Sequence, residues 1–180
     1  KITEQLPEND SAGLNELKKL CENKKVRSVK KRESLFTISE FPSGVFYVMA
    51  GKIKTSIMNH EGKEFVTGLF KEGDFIGYSP IFLGKDYDYS ATAIEDSKVV
   101  KIPKEEFLNF YRENRSAAQY FIKLLSENIL VKEKQLLNLA CDSVRKRIAD
   151  SLIDLYNKYK KENEDIFTIS IMRNDLATMV

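Results

Sequence analysis

The spacing of hydrophobic positions changes along the chain, and each spacing predicts a different kind of element. Near the N-terminus, Leu14, Leu17 and Leu20 recur every third residue, which predicts a short helix. From Val26 to about Ile102 the spacing falls to two, in short runs separated by turn-forming groups rich in Gly, Asn and Asp. Such runs, spaced about ten residues apart, are typical of a β-sandwich or a β-barrel.

One of these runs shows the alternation clearly. In residues 52–57, Ile53, Thr55 and Ile57 alternate with Lys52, Lys54 and Ser56. The pattern predicts an antiparallel strand with one face in the core and with its lysine-bearing face in water.

After Pro103 the pattern becomes helical. Acidic residues in a first turn, followed by Phe107, Phe110 and Tyr111, predict one helix. A second, longer helix is predicted for residues 115–140, which contain no proline or glycine. A third is predicted for residues 144–159, with Asp142 and Ser143 as candidate caps. Residues 166–171 then alternate as in a strand, and a last helix begins at Arg173.

The long helix carries a heptad pattern with one polar interruption. Its positions are Ala118, Ile122, Leu125, Ile129, Lys132, Leu136 and Leu139. At about 1.5 Å per residue, this helix is longer than one small β domain can cover. It either packs on its own sheet or pairs with a second copy of the chain, and the 3.5-residue repeat favours a dimer seam. Lys132 is a candidate switch there, since two like charges that meet in a dimer repel.

Composition narrows the class of protein. The chain has 180 residues, of which 42% are hydrophobic and 31% charged, and this indicates one domain with an appendage or two small domains. The longest apolar run, residues 45–50, is far too short to span a membrane, and no secretory signal is visible. Two distant cysteines, Cys21 and Cys141, favour a reducing compartment, most simply the cytoplasm. Because the chain stops within an amphipathic segment, we expect it to be a fragment of a longer protein.

Candidate catalytic chemistry is scarce. The sequence contains one histidine, His60, in a polar turn, whereas a cupin-type metal site needs two or three histidines with a carboxylate. No phosphate-binding glycine loop, nucleophile elbow or Cys-x-x-Cys pair occurs. We therefore expect neither an enzyme nor a bound metal or cofactor.

Four stretches, taken in order, resemble the Crp/Fnr (catabolite-activator-like) family of bacterial transcription regulators. They are residues 61–77 with Gly73-Asp74-Phe75-Ile76-Gly77, residues 90–93 (Ser-Ala-Thr-Ala), residues 138–149, and residues 171–177. The resemblance implies an α+β chain: an antiparallel β-roll (a jelly-roll-like double-stranded β-helix), a long dimerisation helix and the start of a winged helix-turn-helix. The expected divisions are residues 1–114, 115–141 and 142–180, with the DNA-reading helix absent from this sequence.

The resemblance also implies an effector pocket in the cyclic-nucleotide-binding-like β-roll. Its residues would be Gly73, Gly77, Tyr78, Tyr89, Ser90, Ala91, Lys132 and Glu133. Members that bind a cyclic nucleotide usually carry Glu and Arg where this chain has Tyr78 and Tyr89, and a phenol cannot replace the charge of Arg. We therefore predict that cyclic AMP is not the effector. The tyrosines either line a pocket for another small molecule or simply pack half-buried.

For the C-terminal part, the resemblance implies a hinge at Cys141 and Asp142 and contacts from Arg145 and Arg173 to the DNA backbone. The implied partners are a second copy of the chain, a palindromic double-stranded operator, an unknown effector and RNA polymerase. The alternative is a sensor or interaction module that works through protein contacts, with the basic helix as a solvated surface.

Overall fold

The computed structural model describes residues 9–160, 168, 171 and 173–178. Its eight strands are β1 (Val26–Val29), β2 (Ser34–Phe36), β3 (Gly44–Ala50), β4 (Lys52–Met58), β5 (Glu64–Lys71), β6 (Phe75–Ile76), β7 (Ser90–Ala93) and β8 (Ser97–Pro103). They form two antiparallel sheets, in the orders β1-β8-β3-β6 and β2-β7-β4-β5. The predicted α+β class with an antiparallel β-roll is thereby confirmed.

In the part of the chain that the structure describes, six helices surround or follow the sheets. They are α1 (Asn9–Glu22), α2 (Tyr78–Leu83), α3 (Lys104–Glu113), α4 (Arg115–Cys141), α5 (Val144–Tyr159) and α6 (Arg173–Ala177). All but α2 were expected from the sequence. The side chains of Asn114 and Ser143 accept hydrogen bonds from the first turns of α4 and α5, so of the two candidate caps of α5 the structure uses Ser143. The strand predicted for residues 166–171 lies largely outside the described residues.

Two hydrophobic clusters hold the β-roll together. One fills the space between the sheets and includes Phe36, Ile53 and Ala91. The other joins the first sheet to α1, α3 and the start of α4, where Phe107 and Phe121 are buried. The N-terminal part of α4 is therefore anchored in the core, whereas residues 126–137 of the same helix are exposed.

The prediction that Lys54 faces water is wrong. Its side chain is only 7% exposed and forms ion pairs with Glu64 and Asp175. The outer face of β4 is covered because α5 and α6 pack beside it, on a third hydrophobic cluster that includes Val66 of the neighbouring β5, Leu155 and the partly buried Leu176. Asp175, which is part of this cover, lies 121 positions from Lys54 in sequence, so the local alternation of polar positions could not reveal it.

Candidate functional site

The candidate effector site comprises the turn after β6, the helix α2 and the strand β7, and α4 contacts it through α2. Gly77 adopts a φ of 85°, a left-handed conformation that a residue with a side chain rarely takes, and it leads directly into α2. Tyr78 follows as the first residue of α2 and is buried. Its hydroxyl accepts a hydrogen bond of 2.8 Å from Nδ2 of Asn128, which links α2 to α4.

Aromatic rings fill the neighbourhood of Gly77. The rings of Phe36 and Tyr87 stack with centroids 3.7 Å apart, and Tyr89 meets Phe36 edge-on at 5.6 Å. A Cβ added at Gly77 would lie 3.2 Å from the Tyr87 hydroxyl and 3.5 Å from the Phe36 ring, so both rings approach this glycine closely. Burial raises the pKa of Tyr87 to about 12 and raises the pKa of Tyr89 well above its usual value. Both phenols are therefore neutral at physiological pH, so this part of the site supplies hydroxyl and aromatic groups rather than charge.

Strand β7 forms the next wall of the candidate site. The Ser90 hydroxyl oxygen accepts a hydrogen bond of 3.0 Å from the backbone N–H of Ile38, and Ala91 is fully buried. Gly73 has a different part in the structure. It lies in the turn before β6, where its N–H donates to the carbonyl of Val48 at 3.0 Å, and a Cβ added there would meet no atom of the described structure within 4 Å. Gly73 therefore shapes the turn before β6, and its place in the effector pocket stays a prediction.

Lys132 of α4 points towards the β-roll. Its ammonium donates to the backbone carbonyl of Thr67 in β5 and, at 3.0 Å, to the side chain of Gln135. Thr67 sits at a bulge of β5, where the pairing with β4 shifts between Gly68 and Val66. Partial desolvation of the ammonium beside β5 lowers the pKa of Lys132. The charge of Lys132 is thus directed at β5 and not along the predicted seam, while the neighbouring Glu133 is exposed.

The structure brings Gly77, Tyr78 and Tyr89 together and adds two residues that the sequence analysis missed, Phe36 and Asn128. Asn128 precedes Lys132 by four residues, and this spacing places both side chains on one face of α4. That spacing could have identified Asn128 as a second contact from α4 to the β-roll. No local pattern identifies Phe36, because it reaches the site through the pairing of β2 with β7.

The predicted dimer seam runs along the exposed part of α4. Ile122, Ile129 and Leu136 recur every seven residues and are 56%, 59% and 66% exposed, and Leu139 is 44% exposed. Leu130, Val131 and Leu137 widen this apolar stripe. Ala118 and Leu125 are partly buried, and Leu125 packs against the core cluster of the β-roll. The seam is therefore most open towards the C-terminal end of α4.

The segment after the seam contains the candidate hinge and a basic helix. Asp142 has an extended backbone, which ends α4 next to the exposed Cys141. Arg145 of α5 and Arg173 of α6 are both exposed. Lys146 and Arg147 contact the hinge region: Lys146 forms an ion pair of 2.7 Å with Asp142, and Arg147 donates to the carbonyl of Leu139 at 3.4 Å.

Comparison with known proteins agrees with this architecture. Residues 26–114 match the family described as Cyclic nucleotide-binding domain. The transcriptional activator protein anr of Pseudomonas aeruginosa is 26% identical over 156 residues, which cover 86% of this chain and 64% of that protein. The global regulator CLP of Xanthomonas campestris, described as c-di-GMP responsive, has a similar structure, with a TM-score of 0.73 and 19% identity over 93% of this chain and 84% of that one.

A Crp/Fnr-family regulator from Eubacterium rectale also shares the fold, with a TM-score of 0.69 and 18% identity over 97% of this chain and 76% of that one. The fold and the matched residues define a chain built on a cyclic nucleotide-binding domain. Residues 26–114 are therefore a cyclic nucleotide-binding domain, and the chain is similar in sequence or fold to regulators of the Crp/Fnr family.

The chain spans 64% of the length of the Pseudomonas relative. The relatives named above are transcription regulators, in agreement with the prediction that this chain is not an enzyme. Among the described residues, no helix is both long enough and apolar enough to cross a membrane.

Proposed function

We propose that this chain is the sensing and dimerising part of a homodimeric transcription regulator that binds double-stranded DNA. The observation that carries the proposal is the stripe of exposed aliphatic side chains on α4, which begins at Ile122 and ends just before the basic helix α5. A contiguous apolar surface of this kind is rarely left in water, and its heptad spacing suits a second copy of the same helix. Two free cysteines, one of them exposed, are consistent with a cytoplasmic protein.

Two hydrogen bonds support a relay from the β-roll to α4. Asn128 donates to Tyr78, and Lys132 donates to the carbonyl of Thr67, so one face of α4 is tied to groups beside the candidate effector site. An effector that moves α2 or β5 would shift these contacts and hence the angle between two paired α4 helices. A coupling of about 1–3 kcal/mol is typical of such relays. Because operator half-sites lie about 34 Å apart, a small rotation at the Cys141–Asp142 hinge would disturb their register.

The effector we propose is not cyclic AMP. The groups around Gly77 are phenols and a phenyl ring, and none of Phe36, Tyr87 and Tyr89 carries a positive charge that could neutralise a phosphate. A ligand of this site would use stacking and hydrogen bonds to neutral hydroxyls. If the rings only pack against one another, the β-roll instead responds to another signal.

The first prediction tests the ligand. Cyclic AMP at millimolar concentration should change the melting temperature of the full-length protein by less than about 1 °C, because the groups around Gly77 are neutral and cannot neutralise the phosphate. A ligand at a hundred times its dissociation constant would stabilise the fold by about 2.7 kcal/mol and raise the melting temperature by several degrees. A cyclic-AMP-binding family member, measured by the same scanning fluorimetry, is the positive control. A shift of several degrees would refute this part of the proposal.

The second prediction tests DNA binding. In a gel-shift titration on palindromic operator-like duplexes, the full-length protein should bind with an affinity that falls steeply with salt. Arg173→Gln should weaken binding to all sequences alike and reduce the slope of log affinity against log salt by about 1, because Arg173 would contact phosphate and not bases. Lys85→Gln, at an exposed position on the β-roll, is the matched control and should have no effect. Absence of binding at low salt would favour the alternative, a module that acts through protein contacts.

A further inference from the structure

A buried ion pair connects the β-roll directly to the C-terminal helices. Nζ of Lys54 in β4 lies 2.5 Å from Oδ1 of Asp175 in α6, and the two side chains are 7% and 2% exposed. The two residues are 121 positions apart in sequence. Lys54 also contacts Glu64 at 2.8 Å, but Glu64 is 39% exposed and belongs to the β-roll itself. Of the two ion pairs that Lys54 forms, only the one with Asp175 is buried and joins distant parts of the chain.

Other contacts surround the ion pair and belong to the same interface. The backbone N–H of Val66 donates to the carbonyl of Thr178 at 3.3 Å, on the open edge of strand β5. Nζ of Lys71 donates to the carbonyl of Lys158 at 2.6 Å, and Leu155 of α5 packs into the hydrophobic cluster formed with β5. The outer face of β4 and β5 thus holds both α5 and α6.

Lys54 lies one strand away from the candidate effector site. In the pairing of β4 with β7, Lys54 is opposite Thr92, and Ser56 is opposite Ser90. A displacement of β7 would therefore act on β4 and, through Lys54, on Asp175. This route to α6 is independent of the long helix α4.

A buried ion pair determines geometry more than it adds stability. Its Coulomb energy is largely offset by the cost of removing both charges from water, whereas loss of one partner leaves an uncompensated buried charge. Interfaces between parts of one chain that mix apolar and polar contacts, as this one does, also permit relative motion more readily than obligate interfaces. The Lys54–Asp175 pair accordingly specifies one docked position for α6. Any position of α6 that lacks the ion pair is therefore a separate conformational state.

We propose that Lys54 and Asp175 form a latch that fixes α6 to the effector-binding sheet. While the latch is closed, α5 and α6 move with the β-roll; when it opens, they are free to reorient about the Cys141–Asp142 hinge. The regulatory meaning of the latch rests on the proposed function, because it concerns how DNA-binding helices are positioned. The latch itself does not depend on DNA or on an effector.

Hydrogen–deuterium exchange of the full-length protein tests the latch without DNA. Lys54→Met should raise exchange in peptides covering residues 144–159 and 173–178 by about tenfold or more, while peptides from β3 and β8 stay unchanged. Glu64→Gln is the matched control, because it removes the other partner of the same lysine and leaves the contact to α6. It should leave the exchange of α6 at the wild-type level.

A second variant keeps the test decisive if Lys54→Met unfolds the β-roll. Asp175→Asn changes only α6 and should also raise exchange there, and combining Lys54→Met with Asp175→Leu should restore part of the protection, since no buried charge is then left unpaired. Wild-type exchange of α6 in Asp175→Asn, or equal effects of Asp175→Asn and Glu64→Gln, would overturn the latch. Such a result would leave the DNA-binding proposal intact, and failure of the gel shift would not affect the exchange data.

Discussion

Replacing Phe121 with alanine should lower the free energy of unfolding by about 3–5 kcal/mol, because the change removes a large buried ring and leaves a cavity. Phe121 is 1% exposed and is the main side chain that anchors α4 in the β-roll. Its ring centroid lies 5.1–5.9 Å from those of Phe75, Tyr78, Phe82, Phe107 and Tyr120. Urea denaturation followed by circular dichroism measures the change as a lower midpoint of unfolding.

The matched control for Phe121 is Phe41→Ala. Phe41 is 64% exposed and carries the ammonium of Lys104 over its ring at 4.4 Å. Its loss should cost about 1 kcal/mol or less, the range of an exposed cation–π contact. Equal effects of the two substitutions would mean that the aromatic cluster around Phe121 does not hold α4 to the β-roll.

The second large effect concerns the dimer. Ile129→Glu combined with Leu136→Glu should convert the full-length protein from a dimer to a monomer at micromolar concentration, because four carboxylates would then face one another in an apolar seam. Both positions are more than half exposed in the single chain, so the folded subunit should survive the change. Sedimentation equilibrium measures the mass, and the operator affinity of the same variant should fall together with dimerisation.

Lys134→Glu provides the comparison for the seam. It introduces the same negative side chain on the same helix, at an exposed position two residues from Leu136 but outside the heptad stripe. We expect it to remain dimeric. If the wild-type protein sediments as a monomer, or if Lys134→Glu dissociates as completely as the seam variant, the pairing of α4 helices is disproved.

Local periodicity was sufficient to predict most of the helices and strands. A strand places every second side chain on one face, and a helix places every third or fourth there. Both repeats follow from the local backbone conformation, so they can be recognised from neighbouring residues alone. The limits of α4 and α5 could therefore be predicted to within about one residue. The short helix α2 escaped prediction, since its six residues are too few to display a helical repeat.

The candidate site was only partly predictable. Gly77, Tyr78 and Tyr89 could be named because they stand where related sequences carry their pocket residues. Phe36 and Asn128 could not, because β2 and α4 approach the site through long-range packing. Lys132 was expected both at the polar position of the dimer seam and in the effector pocket, and in the structure its ammonium donates to the carbonyl of Thr67 in β5.

Three features were determined by the sequence, because each depends on composition or on spacing along the chain. They are the order of strands and helices, the aliphatic stripe of α4 and the scarcity of catalytic residue types. The tertiary structure alone decided the surroundings of Lys54. Alternation of polar and apolar residues in a strand predicts that one face contacts solvent. Whether water or another element covers that face depends on where distant segments dock. Burial against α6 then turned a solvated lysine into one half of an ion pair with Asp175, because a buried charge needs a partner of opposite sign.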